Sequence, residues 1–171
     1  TIRVGSDAPI YDLFPSKNDY ITRRSEREGM ALLKRMNRQH SAARENDAVL
    51  EGRIASYEMA ARMQLAAPEA LDISRETPAV RSLFGLDEEI TRDFGTRCLV
   101  ARRLLERGVR FVQIWSGADN GHPRRNWDSH ENLEKDHFDM GTSMDRPAAA
   151  LIKDLKARGL LDDTLVMWTT E

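Results

Sequence analysis

Two short apolar runs on either side of a helical stretch place the strongest constraint on the fold. Residues 109–115 and residues 164–169 are rich in β-branched and aromatic side chains, which is typical of strands. The helix between them is predicted to have Pro147 in its first turn, to run to Arg158 and to end at Gly159. A strand, a crossover helix and a second strand form a βαβ unit, so the two strands are predicted to be parallel. The predicted fold class is therefore α/β.

A parallel sheet of two strands is not stable alone, because both of its faces must be covered. The remaining strands are therefore expected from sequence outside this chain or from another chain. The chain opens with Thr1 and stops at Glu171 directly after the second run, and we expect it to be a fragment with both ends cut.

The rest of the chain is predicted to be mostly helical. Residues 1–20 lack a helical period and predict an extended segment. Thr22 is predicted to cap a helix that runs to about Ala43, and Asn46 or Asp47 to cap a second helix ended by Pro68. A third helix is predicted over residues 94–107, with Gly108 ending it. The predicted organisation is one partial domain, with an extended segment (1–20), a helical part (21–108) and a βαβ part (109–171).

Composition excludes several classes of function. The formal net charge is -2, so no overall basic excess is available to bind a nucleic-acid backbone. Cys98 is the only cysteine, which excludes an internal disulfide, and its apolar neighbours predict a buried thiol. No apolar run approaches the ~18 residues of a membrane span. The pair Arg102 and Arg103 is predicted to lie on a solvated helix face.

The residues that favour chemistry follow the first predicted strand. Three of the four histidines fall between His122 and His137. Asp128 and His130 are two positions apart, which on an extended loop directs both side chains toward one cation, and Glu171 ends the second predicted strand. The alternative is that Asp128 caps the next turn while His130 bonds a backbone carbonyl.

Other polar residues of this loop leave two interpretations open. His122 and Arg124 predict either an anion-binding site or a solvated basic loop. His137, with Asp136 and Asp139, either supports the metal ligands or is exposed.

Several segments together resemble a known family. They are the segment from Glu106 to Gln113, then Trp127-Asp128-Ser129-His130, Asp145-Arg146-Pro147-Ala148, the segment from Asp154 to Val166, and Trp168-Thr169-Thr170-Glu171. They look like a large bacterial sulfatase-like family of unknown function within the alkaline phosphatase-like superfamily. The resemblance implies an alkaline phosphatase-like three-layer sandwich, with a metal site at the carboxyl ends of the strands. It also implies a periplasmic or secreted location, although no signal is present in this chain.

These observations lead to a functional hypothesis. The chain is expected to be part of a metal-dependent hydrolase of sulfate or phosphate esters, inactive by itself because other ligands of that family are not in this sequence. Asp128, His130 and Glu171 are the predicted ligands of a divalent ion (zinc, calcium, magnesium or manganese), and His122 and Arg124 the predicted contacts to the anionic ester. The alternative is a non-catalytic binding or assembly module, for example through a helical hairpin over residues 22–67.

Overall fold

The computed structural model describes residues 10, 22–44, 47–117 and 126–169. They divide into two compact units, one drawn from Ile10–Pro68 and the other from Glu69–Glu171. The predicted extended segment (1–20) lies outside the described residues except for Ile10. Of the helices described, none is long and apolar enough to cross a membrane.

The first unit contains two helices whose starts were predicted from the sequence. Helix α1 (Arg23–Ala42) begins after Thr22, whose side-chain oxygen accepts from the Ser25 amide at 3.1 Å. The reciprocal bond comes from the Thr22 amide to the Ser25 hydroxyl, so Ser25 closes the capping box. Helix α2 (Ala48–Leu71) begins after Asp47, whose carboxylate accepts from the Leu50 amide at 2.9 Å. Both predicted helix starts are confirmed.

Helices α1 and α2 are antiparallel and are joined by polar contacts. Gln64 donates to Glu26 at 3.4 Å, and Lys34 pairs with Glu58 at 3.4 Å. The later residue of α1 thus contacts the earlier residue of α2, as in an antiparallel pair. None of the side chains described in this unit is buried. Its large exposed apolar residues are Leu32, Leu33, Met36, Val49, Tyr57, Met59 and Met63.

The end predicted for the second helix at Pro68 is wrong, because α2 continues through Pro68 to Leu71. A proline inside a helix removes one backbone hydrogen bond. Arg103 donates to the carbonyl oxygens of Glu69 at 2.6 Å and Ala70 at 2.8 Å. These bonds satisfy carbonyl groups at the helix end that would otherwise have no intrahelical partner, so the last turn is held from outside the helix.

The second unit is built around helices α3 (Pro78–Leu83), α4 (Glu89–Glu106) and α5 (Leu133–Ala157). Its apolar core lies mainly between α4 and α5. Cys98 belongs to this core, as predicted. The fully or nearly fully buried members are Phe84, Leu86, Cys98, Leu99, Ala150, Leu151 and Leu155.

A buried cluster of charges joins α4 to α5. Arg102 is only 2% exposed, and its guanidinium lies 2.7 Å from Glu76, 2.6 Å from Glu106 and 3.1 Å from Asp154. Burial acts to raise the pKa of Glu76, but hydrogen bonds from Arg102 and Arg103 outweigh it and hold that pKa below its ordinary value. The prediction of a solvated face for Arg102 and Arg103 is therefore wrong.

The prediction of an α/β fold is also wrong, since the part of the chain that the structure describes contains no strand. Residues 109–115 and 164–169 are extended, yet no backbone hydrogen bond pairs residues 110–114 or 165–168 with another described segment. A strand requires such a neighbour, and the apolar β-branched pattern does not supply one. The three-layer sandwich and the βαβ unit are corrected to a helical arrangement with two unpaired extended segments.

The start predicted for the last helix is wrong too, because α5 begins at Leu133 and Pro147 lies inside it. Asn132 caps the helix, accepting from the Lys135 amide at 3.1 Å. Pro147 is among the fully buried side chains, so packing of its ring offsets the lost hydrogen bond. The predicted glycine ends are confirmed: Gly108 and Gly159 have φ values of 80° and 68°.

Candidate functional site

Asp128 and His130 meet on the surface of the second unit, in the loop that leads to α5. The His130 Nε2–H donates to the Asp128 carboxylate across 3.0 Å. Both side chains are exposed, at 79% for Asp128 and 60% for His130. The two side chains thus lie together, although the loop that carries them is bent rather than extended. Asn132 caps the helix and His130 bonds a carboxylate, and the role of the pair as metal ligands stays a prediction.

The other predicted site residues are outside the residues that the structure describes. Glu171, His122 and Arg124 all belong to this group. Within the described residues, no set of three His, Cys, Asp or Glu side chains is arranged to hold a metal ion. The structure thus brings two of the predicted ligands together, and the role of the other three residues stays a prediction.

The Gly117 backbone lies close to the side chain of Asn126. Gly117 has a φ of 100°, and a Cβ built on it would lie 2.1 Å from the side-chain amide oxygen of Asn126. Asn126 is buried, and its side-chain oxygen accepts from the Trp127 amide at 2.9 Å. Position 117 therefore favours glycine, because the φ value disfavours other residues and an added Cβ would displace the buried Asn126 side chain.

Trp127 connects the loop to the extended segment before Gly117. Its indole Nε1–H donates to the Ser116 hydroxyl at 3.0 Å. Its ring lies against the His137 ring, with centroids 5.6 Å apart and a tilt of 59°. These contacts fix the position of Trp127, the residue immediately before Asp128.

Helix α5 holds the same loop through two residues of its first turns. The Ser129 hydroxyl donates to Asp136 at 2.7 Å, and the His137 Nε2–H donates to the Trp127 carbonyl at 2.8 Å. His137 is exposed, as one of its two interpretations predicted, and it also bonds the loop; its support of metal ligands stays a prediction. Ser129 and Asn126 were not singled out from the sequence, and nothing in their spacing indicates a role until the start of α5 is known.

The comparisons with known proteins identify one family. The sequence matches the family with the description "Protein of unknown function (DUF1501)" over residues 5–171. A search among curated proteins and a search among solved structures each gave no match.

This finding corrects the resemblance to a sulfatase-like family of the alkaline phosphatase-like superfamily. The family that matches carries no description connecting it to sulfatases or phosphatases, and the described residues are helical rather than α/β. Because the match covers nearly the whole sequence, the chain belongs to the DUF1501 family of proteins of unknown function.

Proposed function

We propose that this chain contributes Asp128 and His130 to a divalent-cation centre that hydrolyses sulfate or phosphate esters. The observation that carries the proposal is the 3.0 Å distance between the Asp128 carboxylate and the His130 ring nitrogen. Two atoms that each lie about 2.1 Å from one cation are about 3.0 Å apart at a right angle and about 3.4 Å apart at the tetrahedral angle. The observed distance suits a pair of ligands on one ion, which would replace the proton that Nε2 shares with the carboxylate and release it to solvent.

The chemistry of the pair favours zinc or manganese among the divalent ions. An imidazole nitrogen suits borderline metals, whereas calcium and magnesium prefer oxygen ligands alone. The exposure of both side chains leaves room for further ligands and for an ester. Glu171 is the proposed third ligand, and His122 and Arg124 are the proposed contacts to the anion.

The bound cation would polarise a phosphoryl or sulfuryl oxygen and activate the attacking oxygen. The residues of this chain hold that cation and bind the anionic group beside it. Of the three proposed ligands, the described part of the chain brings together Asp128 and His130, and two ligands hold a metal weakly. The chain by itself is therefore expected to have no hydrolytic activity.

Calorimetric titration of the whole chain with Zn²⁺ tests the metal site. Asp128→Ala and His130→Ala are each expected to lower the zinc affinity at least tenfold, because each removes one ligand. His40→Ala and Asp162→Ala serve as controls, since they remove the same groups from other exposed positions. Zinc binding that is equal in all five proteins would refute the proposal.

The anion contacts need a separate titration. Inorganic sulfate and phosphate are added to the zinc-loaded chain, and Arg124→Ala is expected to weaken the binding of both anions without changing zinc affinity. Unchanged anion affinity would remove Arg124 from the site.

The second candidate function is an assembly module built from α1 and α2. It is favoured by the apolar side chains that these helices expose, among them Leu33 and Met36 on α1. Burial of such side chains against a second copy of the chain would stabilise a dimer. Light scattering after size-exclusion chromatography tests this. At concentrations where the unaltered chain dimerises, the double variant Leu33→Glu, Met36→Glu should be monomeric. The control Arg35→Ala should still dimerise. If the unaltered chain is monomeric at high concentration, assembly through α1 and α2 is excluded.

A further inference from the structure

In the loop that carries Asp128 and His130, residues bonded to α5 alternate along the sequence with the proposed ligands. The Trp127 carbonyl and the Ser129 hydroxyl bond residues of α5, whereas the Asp128 and His130 side chains are exposed and bond each other. Each residue that holds the loop is therefore a direct sequence neighbour of a proposed ligand.

Asp136 is the residue on which this arrangement depends most. It is 4% exposed, and the Ser129 hydroxyl is the side-chain donor that the described part of the chain offers it. A buried carboxylate is costly unless it is hydrogen-bonded, so the Asp136–Ser129 contact resists breaking. The contact fixes the backbone between Asp128 and His130.

His137, one residue further along α5, makes a second contact with the loop. Its Nε2–H donates to the Trp127 carbonyl, and because a carbonyl only accepts, the proton must be on this nitrogen. The residues on both sides of Asp128 are thus attached to the same helix.

We propose that Asp136, acting through Ser129, is a positioning residue that pre-organises the Asp128–His130 pair for a divalent cation, with His137 as the second hold. This inference rests on the proposed metal-binding role of the pair. Groups that orient metal ligands typically contribute 10- to 100-fold to metal affinity, because they remove the need to order the ligands on binding.

Ser129 is the position for the first experiment, because it is partly exposed and its substitution leaves the helices intact. Ser129→Ala is expected to lower Zn²⁺ affinity about tenfold or more in calorimetry, and Ser129→Thr, which keeps the hydroxyl, to restore it. Ser143→Ala is the matched control, since the Ser143 hydroxyl bonds a carbonyl of its own helix. Wild-type affinity in Ser129→Ala, or no rescue by Ser129→Thr, would overturn the inference.

A second measurement on the metal-free chain separates this inference from the proposed function. ¹⁵N relaxation should give order parameters near about 0.85 for the amides of residues 127–130 in the unaltered chain, and below about 0.6 in Ser129→Ala. If the unaltered chain binds no zinc, the proposed function fails and relaxation alone decides whether Asp136 positions the loop. An equally rigid loop in Ser129→Ala would show that it does not.

Discussion

Arg102 shows how far a single side chain can depart from its sequence pattern. Two adjacent arginines on a helix usually face solvent, yet Arg102 is the largest of the fully buried side chains described and contacts three carboxylates. Glu106 is one turn further along the same helix, but Glu76 and Asp154 are 26 and 52 positions from Arg102, so only the folded chain brings all three together. Sequence spacing does not reveal a charge cluster assembled over such separations.

Removal of the Arg102 guanidinium should be strongly destabilising. Arg102→Ala removes the cation that Glu76 and Asp154 share, while Arg103 still pairs with Glu76 and Arg158 with Asp154. The expected loss in free energy of unfolding is about 3 kcal/mol, at the lower end of the range for a broken buried ion pair. Arg24→Ala is the control, because Arg24 pairs with Glu28 on an exposed face, and it should change stability by less than about 1 kcal/mol. Urea denaturation measures both, and equal midpoints for the two variants would contradict the assignment.

Cys98 makes a prediction about pH. Burial raises the pKa of its thiol from the ordinary value of 9.0 to about 12. Between these values the unfolded chain ionises and the folded chain does not, so the free energy of unfolding should fall with rising pH by up to about 1.4 kcal/mol per unit.

Two measurements check this. Denaturation between pH 9 and pH 11 should show the loss of stability in the unaltered chain, and Cys98→Ala should remove this component of it. A thiol reagent at pH 8 should react slowly with the folded chain and rapidly in denaturant. Equal reaction rates would mean that Cys98 is accessible.

At the scale of helices, the backbone of α4 lies very close to the turn that follows α3. A Cβ built on Gly95 would lie 2.1 Å from the carbonyl oxygen of Phe84. This oxygen belongs to the backbone and cannot move as a flexible side chain would. The glycine therefore sets the distance between α4 and the turn that precedes it.

Alanine at position 95 should separate these two elements. Gly95→Ala is expected to lower the free energy of unfolding by about 1–3 kcal/mol through overpacking. Gly29→Ala and Gly52→Ala are matched controls in helices with open space around the glycine, and each should stabilise its helix by about 0.5–1 kcal/mol. Calorimetric melting compares the three, and a stabilising Gly95→Ala would refute the close contact.

The sequence predicts helices better than it predicts strands in this chain. The helix caps at Thr22 and Asp47 and the glycine ends at positions 108 and 159 depend on residues close in the sequence, so their chemistry can be read from it. Pairing of residues 109–115 with residues 164–169 depends on distant neighbours, which a pattern of apolar residues does not reveal. The start of α5 was missed because Pro147 is typical of a first turn, although here it is buried inside the helix.

The candidate site was predictable to a similar degree. The two-residue spacing of Asp128 and His130 predicted that they approach each other, but the loop is bent there, so the alternation of an extended segment is not the cause. The support from Asp136 and the fit of Gly117 against Asn126 require the fold, because each joins separate elements.

At the scale of the whole chain, the buried apolar side chains that the structure describes are all in one unit. The core described between α4 and α5 has no counterpart among the side chains described in the Ile10–Pro68 unit. Helices that bury little apolar surface open with a low free energy, because propensity and single polar contacts contribute little.

Hydrogen exchange on the intact chain should therefore differ along the sequence. Amides of α1 are expected to exchange well before those of α4, whose residues Cys98 and Leu99 are in the core. Mass spectrometry of peptides from the two helices measures the difference. Equal protection of α1 and α4 would indicate that α1 is buried by a contact that the chain makes with another copy.

The contact of Gly117 with Asn126 has a further consequence for how such a chain can change over generations. The two residues are in contact although eight positions separate them in the sequence. Doubling the number of residues between two fixed points costs only about 0.6 kcal/mol more. Insertions between positions 117 and 126 should therefore leave the helices and the Gly117–Asn126 contact undisturbed, and would add sequence close to Asp128 and His130.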